Sequence, residues 1–246
     1  MHVTFPNDRD MQLSGILDGE GKKGTVICSH FTGFKEIRHY YKLAKSLAGN
    51  GMVALRFDYS DCIGQSEGSC EDMKLTHQVR DTLAAMDFLE SKGVERIGLM
   101  GHSLGGTTAI ATAANDARVK ALVSVAALAR LEWDTLFRKK AEQWKKQGYI
   151  TFPSWKRGEI KISYGFYKDL SKYDSTSLIR GVNAPVRVIH AGEDNLVSIE
   201  NAKGIYENAN EPKDLKIVEG ADHMFSDSEH EDEMVNLCLK WFEKHL

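Results

Sequence analysis

Apolar and polar positions along this chain change their period several times. Val3–Phe5 and Met11–Leu17 are short apolar runs either side of Pro6-Asn7-Asp8, the pattern of two antiparallel strands joined by a turn. Thr25–Ser29 and Val53–Phe57 are short β-branched or continuously apolar runs, which predicts buried strands. Between them, Glu36–Gly49 sets Ile37, Tyr40, Tyr41, Ala44, Leu47 and Ala48 at helical spacing, and Gly49-Asn50-Gly51 ends that helix. The alternation continues. Thr76–Leu89 is a helix with Val79, Leu83, Met86 and Leu89 on one face, Arg96–Met100 a strand, and Leu104–Ala114 a helix of small residues. Strands Ala121–Ala126 and Val186–Ala191, helix Ile199–Asn208, strand Leu215–Val218 and helix Glu231–Lys244 complete the series. The acidic run from Asp227 to Glu233 suits the positive end of that last helix.

Strands that alternate with helices predict an α/β fold. The expectation is about eight strands in a mostly parallel sheet, helices on both faces, and the first two strands as an antiparallel edge hairpin. One stretch breaks the rhythm. Residues 127–180 lie between two strands, yet 54 residues far exceed what one crossover helix needs. They hold 10 of the 22 aromatic residues and 12 Lys/Arg against 6 Asp/Glu, a net +6 that leaves −9 for the rest. This reads as a cap inserted after the sixth strand of one 1–246 domain. It is built from a helix, Leu131–Gln147, and then from Tyr149–Phe166, whose Gly and Pro punctuation suggests strands or loops.

Composition narrows the function classes. At 246 residues the chain supports a full core without disulfide or metal staples. A net charge of −3 argues against a dedicated nucleic-acid partner. Lys120–Leu131, the longest weakly polar run, is too short to span a bilayer, and the first residues lack a basic-then-apolar leader. Cys28, Cys62, Cys70 and Cys238 match no zinc or redox spacing and read as free thiols of a cytoplasmic protein. No metal and no cofactor are expected, no membrane partner either, and a homo-oligomer is left open.

The strongest chemical signal is Gly101-His102-Ser103-Leu104-Gly105-Gly106, between a predicted strand and a predicted helix. That is G-x-S-x-G in the context it requires: a sharp turn that lifts a serine above the sheet edge, with small neighbours so that helix and strand can approach. A serine hydroxyl needs a base. His223 follows the last strand and a glycine turn, and Asp194 follows the strand Val186–Ala191, giving the order Ser103…Asp194…His223. Glu193 and Asp222 compete for the acid role, but Asp222 adjoins His223 in sequence and is poorly placed to reach the ring. The oxyanion hole should combine the N–H of Leu104 with an N–H from the loop Ser29–Lys35.

The chain resembles α/β-hydrolases of the serine esterase type, and is similar to bacterial cinnamoyl (feruloyl) esterases and their acylglycerol-lipase and peptidase-like relatives. The resemblance rests on five stretches. They are Phe31-Thr32-Gly33-Phe34-Lys35, Leu55-Arg56-Phe57-Asp58-Tyr59 with Gly64-Gln65-Ser66-Glu67-Gly68, the Ser103 turn, the Asp194 segment, and Glu219–Asp227. It implies that Phe31 gives the second oxyanion N–H. Two departures stand out: His30 occupies a position where relatives carry Gly, and Ser60–Gly64 replaces a shorter Gly-rich turn. Tyr149–Trp155 is also similar to a stretch of some acyl-protein thioesterases of this fold.

These readings predict a serine carboxylester hydrolase that works through an acyl-enzyme on small-molecule esters of short-chain or aryl (cinnamoyl-type) acids. Acyl thioesterase or aminopeptidase-like chemistry is the alternative within enzymes, and a non-catalytic binding protein the alternative outside them. Substrate contacts are expected from His30, Trp133, Phe137, Phe152 and Trp155. The aromatics of the cap could equally form its own small core.

Overall fold

The computed structural model describes residues 1–131, 137–154, 156 and 158–246. Eight strands form one sheet: β1 (His2–Pro6), β2 (Gln12–Asp18), β3 (Lys23–Cys28), β4 (Val53–Phe57), β5 (Arg96–His102), β6 (Val119–Val125), β9 (Val186–Ala191) and β10 (Lys213–Val218). A two-stranded antiparallel hairpin, β7 (Tyr149–Ser154) with β8 (Gly158–Ser163), lies apart. The sheet order is β1-β2-β4-β3-β5-β6-β9-β10. β1 pairs β2 and β2 pairs β4 antiparallel, and every later pairing is parallel. This is the expected α/β-hydrolase architecture.

The central strands are buried on both faces, which is why their sequences read as unbroken apolar runs. In β6, Leu122 enters one core while Ala121, Val123 and Val125 enter the other, and in β9 Val186 and Val188 part from Ile189 and Ala191 in the same way. Helices α1 (Arg38–Gly49) and α8 (Ser228–His245) cover one face through Tyr40, Leu43, Leu47, Met234 and Phe242. Helices α2 (Leu75–Ser91), α3 (Leu104–Asn115) and α7 (Ile199–Asn208) cover the other. Helix α8 starts where the acidic run predicts, with the Asp227 carboxylate accepting the Glu229 N–H at 2.8 Å.

Two expectations change. β10 begins at Lys213 and not at Leu215; it is an edge strand, half-exposed, so its polar first residues hide its length. Of the helix expected over Leu131–Gln147, residues 132–136 lie outside the described residues; among the described ones Arg138–Lys140 forms a 3-10 turn and α4 covers Ala141–Gln147, ended by Gly148 at φ +77°. After β8 come α5 (Tyr164–Leu170) and the short α6 (Ser175–Leu178). Among the described residues, the aromatic side chains of this segment do not form a separate core. Trp144, Phe152 and Phe166 are buried in the cluster that contains Leu104 and Ile110 of α3. Among the described residues no helix is long and apolar enough to cross a membrane.

Candidate active site

Ser103 sits between β5 and α3 at φ +55°, ψ −122°, a conformation L-residues adopt only when surroundings impose it. Its N–H donates to Val125 O at 2.8 Å and its carbonyl accepts from Gly106 N–H at 2.9 Å, which holds the turn. Two glycines make the approach possible: a Cβ on Gly101 would collide with the carbonyl of Gly105, and one on Gly105 with the carbonyl of Cys28. The sheet topology then brings two loops to the same edge. The loop after β9 carries Asp194 and the loop after β10 carries His223, and they are tied together by Gly192 N–H to Val218 O and Glu193 N–H to Ala221 O, each 2.8 Å.

His223 Nδ1 lies 2.7 Å from Asp194 Oδ2, and His223 Nε2 lies 3.0 Å from Ser103 Oγ. A carboxylate only accepts, so Nδ1 carries the proton and Nε2 presents its lone pair to the Ser103 hydroxyl. The other oxygen of Asp194 accepts the N–H groups of Leu196 and Val197 at 2.9 and 2.8 Å. Burial works to raise the Asp194 carboxyl, but the hydrogen bond and charge of His223, with those two N–H groups, outweigh it and hold the carboxyl below its ordinary range. The competitors are placed otherwise. Glu193 is exposed, and Asp222 accepts Ser226 N–H at 2.8 Å within its own turn.

Ser103 and His223 open onto a cavity of about 240 Å³ walled by Phe31, Leu104, Leu128, Phe137, Val197 and Met224. His30 and Thr32, beside Phe31, and Leu196, beside Val197, complete the wall. The loop that bears them is a tight turn in which Gly33 N–H donates to His30 O at 2.7 Å and Thr32 takes φ +59°, an outlier for a β-branched residue. Because the His30–Phe31 peptide is trans, fixing the His30 carbonyl toward Gly33 turns the Phe31 N–H the opposite way. Among the described residues neither the Phe31 nor the Leu104 N–H has a protein acceptor. The far end of the loop is held by Lys35, which is fully buried and donates to Asp58 at 2.5 Å and to Gln65 at 2.8 Å.

Of the substrate contacts expected from sequence, the structure places His30 and Phe137 at the cavity. Phe152 is not among the residues that line it. It is buried behind Phe31, with ring centroids 4.9 Å apart, and packs against Trp144 and Phe137 as part of an aromatic core. Trp133 and Trp155 lie outside the described residues. Sequence reasoning missed Thr32, Leu128, Leu196, Val197 and Met224, although Thr32 and Met224 directly follow residues it singled out.

Behind the cavity is a cluster of imidazoles that sequence reasoning also missed. The His30 and His102 rings are 5.4 Å apart, His39 and His102 5.0 Å, and His102 and His223 5.1 Å. Among the described residues no His, Cys, Asp or Glu group is arranged to hold a metal ion. Burial, followed by the charge of neighbouring groups, depresses the first three: His30 to about 4, His39 to about 3 and His102 well below its ordinary value. All three are therefore neutral in the folded protein at pH 7 and take up protons on unfolding below about pH 6.5. Their contribution to stability is complete above that pH and is lost as pH falls toward 4, at about 1.4 kcal/mol per pH unit each and about 4 for the three. Urea midpoints should match at pH 8 and 7 and drop steeply between 6.5 and 5. A flat profile across that interval contradicts the cluster's neutrality.

An eight-stranded sheet of this order with a Ser–His–Asp chain at its loop edge defines an α/β-hydrolase. The chain belongs to the prolyl oligopeptidase family, whose profile matches residues 44–246. It is 25% identical over 272 residues to an uncharacterized 31.7 kDa protein of the traX-finO intergenic region in Escherichia coli, covering 94% of each chain. It is 32% identical over 210 residues to the mitochondrial palmitoyl-protein thioesterase ABHD10 of Homo sapiens, covering 79% of this chain and 65% of that one. The fold is shared with Est1E of Butyrivibrio proteoclasticus, solved with ferulic acid bound, at a TM-score of 0.81 and 20% identity over 99% of this chain and 98% of that one.

Proposed function

We propose that this protein is a serine hydrolase of carboxylic esters and thioesters with a compact, uncharged acyl group. The hydrogen-bonded chain Ser103–His223–Asp194 beside an apolar cavity carries the reading. Ser103 Oγ attacks the acyl carbonyl while His223 Nε2 takes its proton, and the N–H groups of Phe31 and Leu104 receive the oxyanion. His223 then gives the proton to the departing alcohol or thiol, leaving an acyl-Ser103 ester. Water, deprotonated by the same imidazole, attacks that ester and releases the acid.

Two observations bear on the substrate. A cavity of about 240 Å³ is below the usual range of ligand pockets, roughly 300–1,000 Å³, which favours short-chain or cinnamoyl-type acyl groups. Among the described residues, no carboxylate lines it to receive a substrate ammonium, which disfavours aminopeptidase chemistry despite the family's name. Thioesters are kept because a thioesterase is among the relatives and because the same triad serves both. The test is a panel of p-nitrophenyl esters from acetate to palmitate, methyl ferulate, an acyl thioester and an aminoacyl amide. Turnover of the short esters and ferulate is expected. Cleavage of the amide alone would overturn the reading.

The same panel separates the two phenylalanines. Phe137→Ala opens the cavity wall and should shift acyl preference by roughly 1–3 kcal/mol of transition-state binding between best and worst esters. Phe152→Ala removes core behind Phe31 and should cost about 3–5 kcal/mol of stability while lowering all esters in proportion. Uniform losses for Phe137→Ala, tracking its melting temperature, would remove it from the substrate surface.

A further inference from the structure

We infer that Tyr40 and His102 are positioning residues that lock the oxyanion loop, the Ser103 turn and the His223 loop into one hydrogen-bonded unit. This inference rests on the serine-hydrolase reading and adds to it two residues that touch no substrate. Tyr40 lies in α1 and is 1% exposed; His102 is the residue before Ser103 and is also 1% exposed. Three hydrogen bonds join them. His30 N–H donates to Tyr40 Oη at 2.8 Å, Tyr40 Oη lies 3.5 Å from His102 Nδ1, and His102 Nε2 lies 2.9 Å from the carbonyl of His223.

Every proton in this chain is fixed by chemistry. The His223 carbonyl can only accept, so His102 carries its proton on Nε2. Burial keeps the ring neutral, so Nδ1 is a lone pair that needs a donor. The Tyr40 hydroxyl faces it, and having given its proton to His102 it must accept from His30 N–H. The direction therefore runs one way: His30 to Tyr40 to His102 to the His223 carbonyl. The link from Tyr40 to His102 is the longest of the three and so the weakest.

What the relay holds is the geometry of the transition state. The His30 N–H is tied to Tyr40 and its carbonyl to Gly33, so both faces of the residue before Phe31 are fixed and the Phe31 N–H has one direction. The other end holds the backbone of His223, whose ring is held separately by Asp194. Loss of the Tyr40 hydroxyl frees the oxyanion loop without touching the cavity wall, since Tyr40 is not part of it. Binding of the ground-state ester is then unaffected, and stabilisation of the tetrahedral intermediate falls.

The experiment is Tyr40→Phe, which keeps the ring and removes one oxygen. Expected is a kcat lowered about 10- to 100-fold with KM within about twofold. The Ki of an arylboronic acid, which forms a tetrahedral Ser103 adduct, should rise by the same factor as kcat/KM falls. His102→Leu cuts the relay at its other joint and is the second variant, informative even if the first does not fold. Parental kcat in either folded variant, or a loss confined to KM, overturns the inference. Ser103→Ala separates the two layers: if it keeps activity, the serine-hydrolase reading fails, whereas an inactive Ser103→Ala beside a fully active Tyr40→Phe removes only the relay.

Discussion

Replacement of Ser103 by Ala should leave a folded protein whose ester hydrolysis is lower by at least ~10⁴-fold. The fold should survive because what holds the turn is backbone. The Ser103 N–H donates to Val125 O and its carbonyl accepts from Gly106, and neither bond involves the hydroxyl. Among the described residues the hydroxyl is partnered by His223 Nε2, so alanine removes that hydrogen bond and leaves the packing in place. Activity should collapse because the members of such a triad act as a unit, and without the nucleophile only the oxyanion donors and the cavity remain to assist water. Two measurements check this together: turnover of p-nitrophenyl acetate and labelling by a fluorophosphonate. Activity within tenfold of the parent, with labelling retained, would mean that another side chain is the nucleophile.

Much of this site is legible from the chain because the Ser103 turn is constrained twice. Gly101 and Gly105 are needed for backbone approach, and Ser103 must follow a strand and precede a helix, so five residues and their context agree. Asp194 and His223 are legible by position, each in the first loop after a parallel strand, where such a sheet collects its functional residues. Phe152 shows where this stops. The aromatic richness of residues 127–180 is visible in sequence, but whether a ring faces a cavity or a core depends on how the β7–β8 hairpin lies against Phe31, and no periodicity encodes that. The first residues of β10 are hidden in the sequence because an edge strand needs apolar residues on one face only.

Tyr40 marks a different limit. Its spacing within Glu36–Gly49 places it correctly on the buried face of a helix. Its chemistry comes from His102, 62 positions away, and from the His30 N–H, and both meet it only in the folded sheet. Likewise His30 is legible as a departure from the pattern the resemblance implies, but not as one of four imidazoles packed together. Sequence reading finds residues whose backbone context is demanding; it misses those whose role is created by a tertiary neighbour.

The second large effect is expected for Asp194→Asn, with Glu193→Gln as its control. The Asp194 side chain is 1% exposed and divides its oxygens, one to the N–H groups of Leu196 and Val197 and the other to His223 Nδ1. Asparagine keeps the shape but has one oxygen and one NH₂. The two backbone N–H groups require an acceptor and so fix the amide oxygen on their side, which turns the NH₂ toward the imidazole. His223 must then accept at Nδ1 and carry its proton on Nε2, facing Ser103 Oγ with a proton where a lone pair is needed. The base is present, correctly placed, and in the wrong tautomer, so a loss on the order of 10⁴-fold in kcat follows with little change in KM or melting temperature. Glu193→Gln changes an exposed side chain and leaves the residue's backbone N–H to Ala221 O untouched, so its activity should stay within about twofold of the parent. Equal losses in the two variants, or a larger one at Glu193, would assign the acid to Glu193 and leave the Asp194 hydrogen bonds as loop architecture alone.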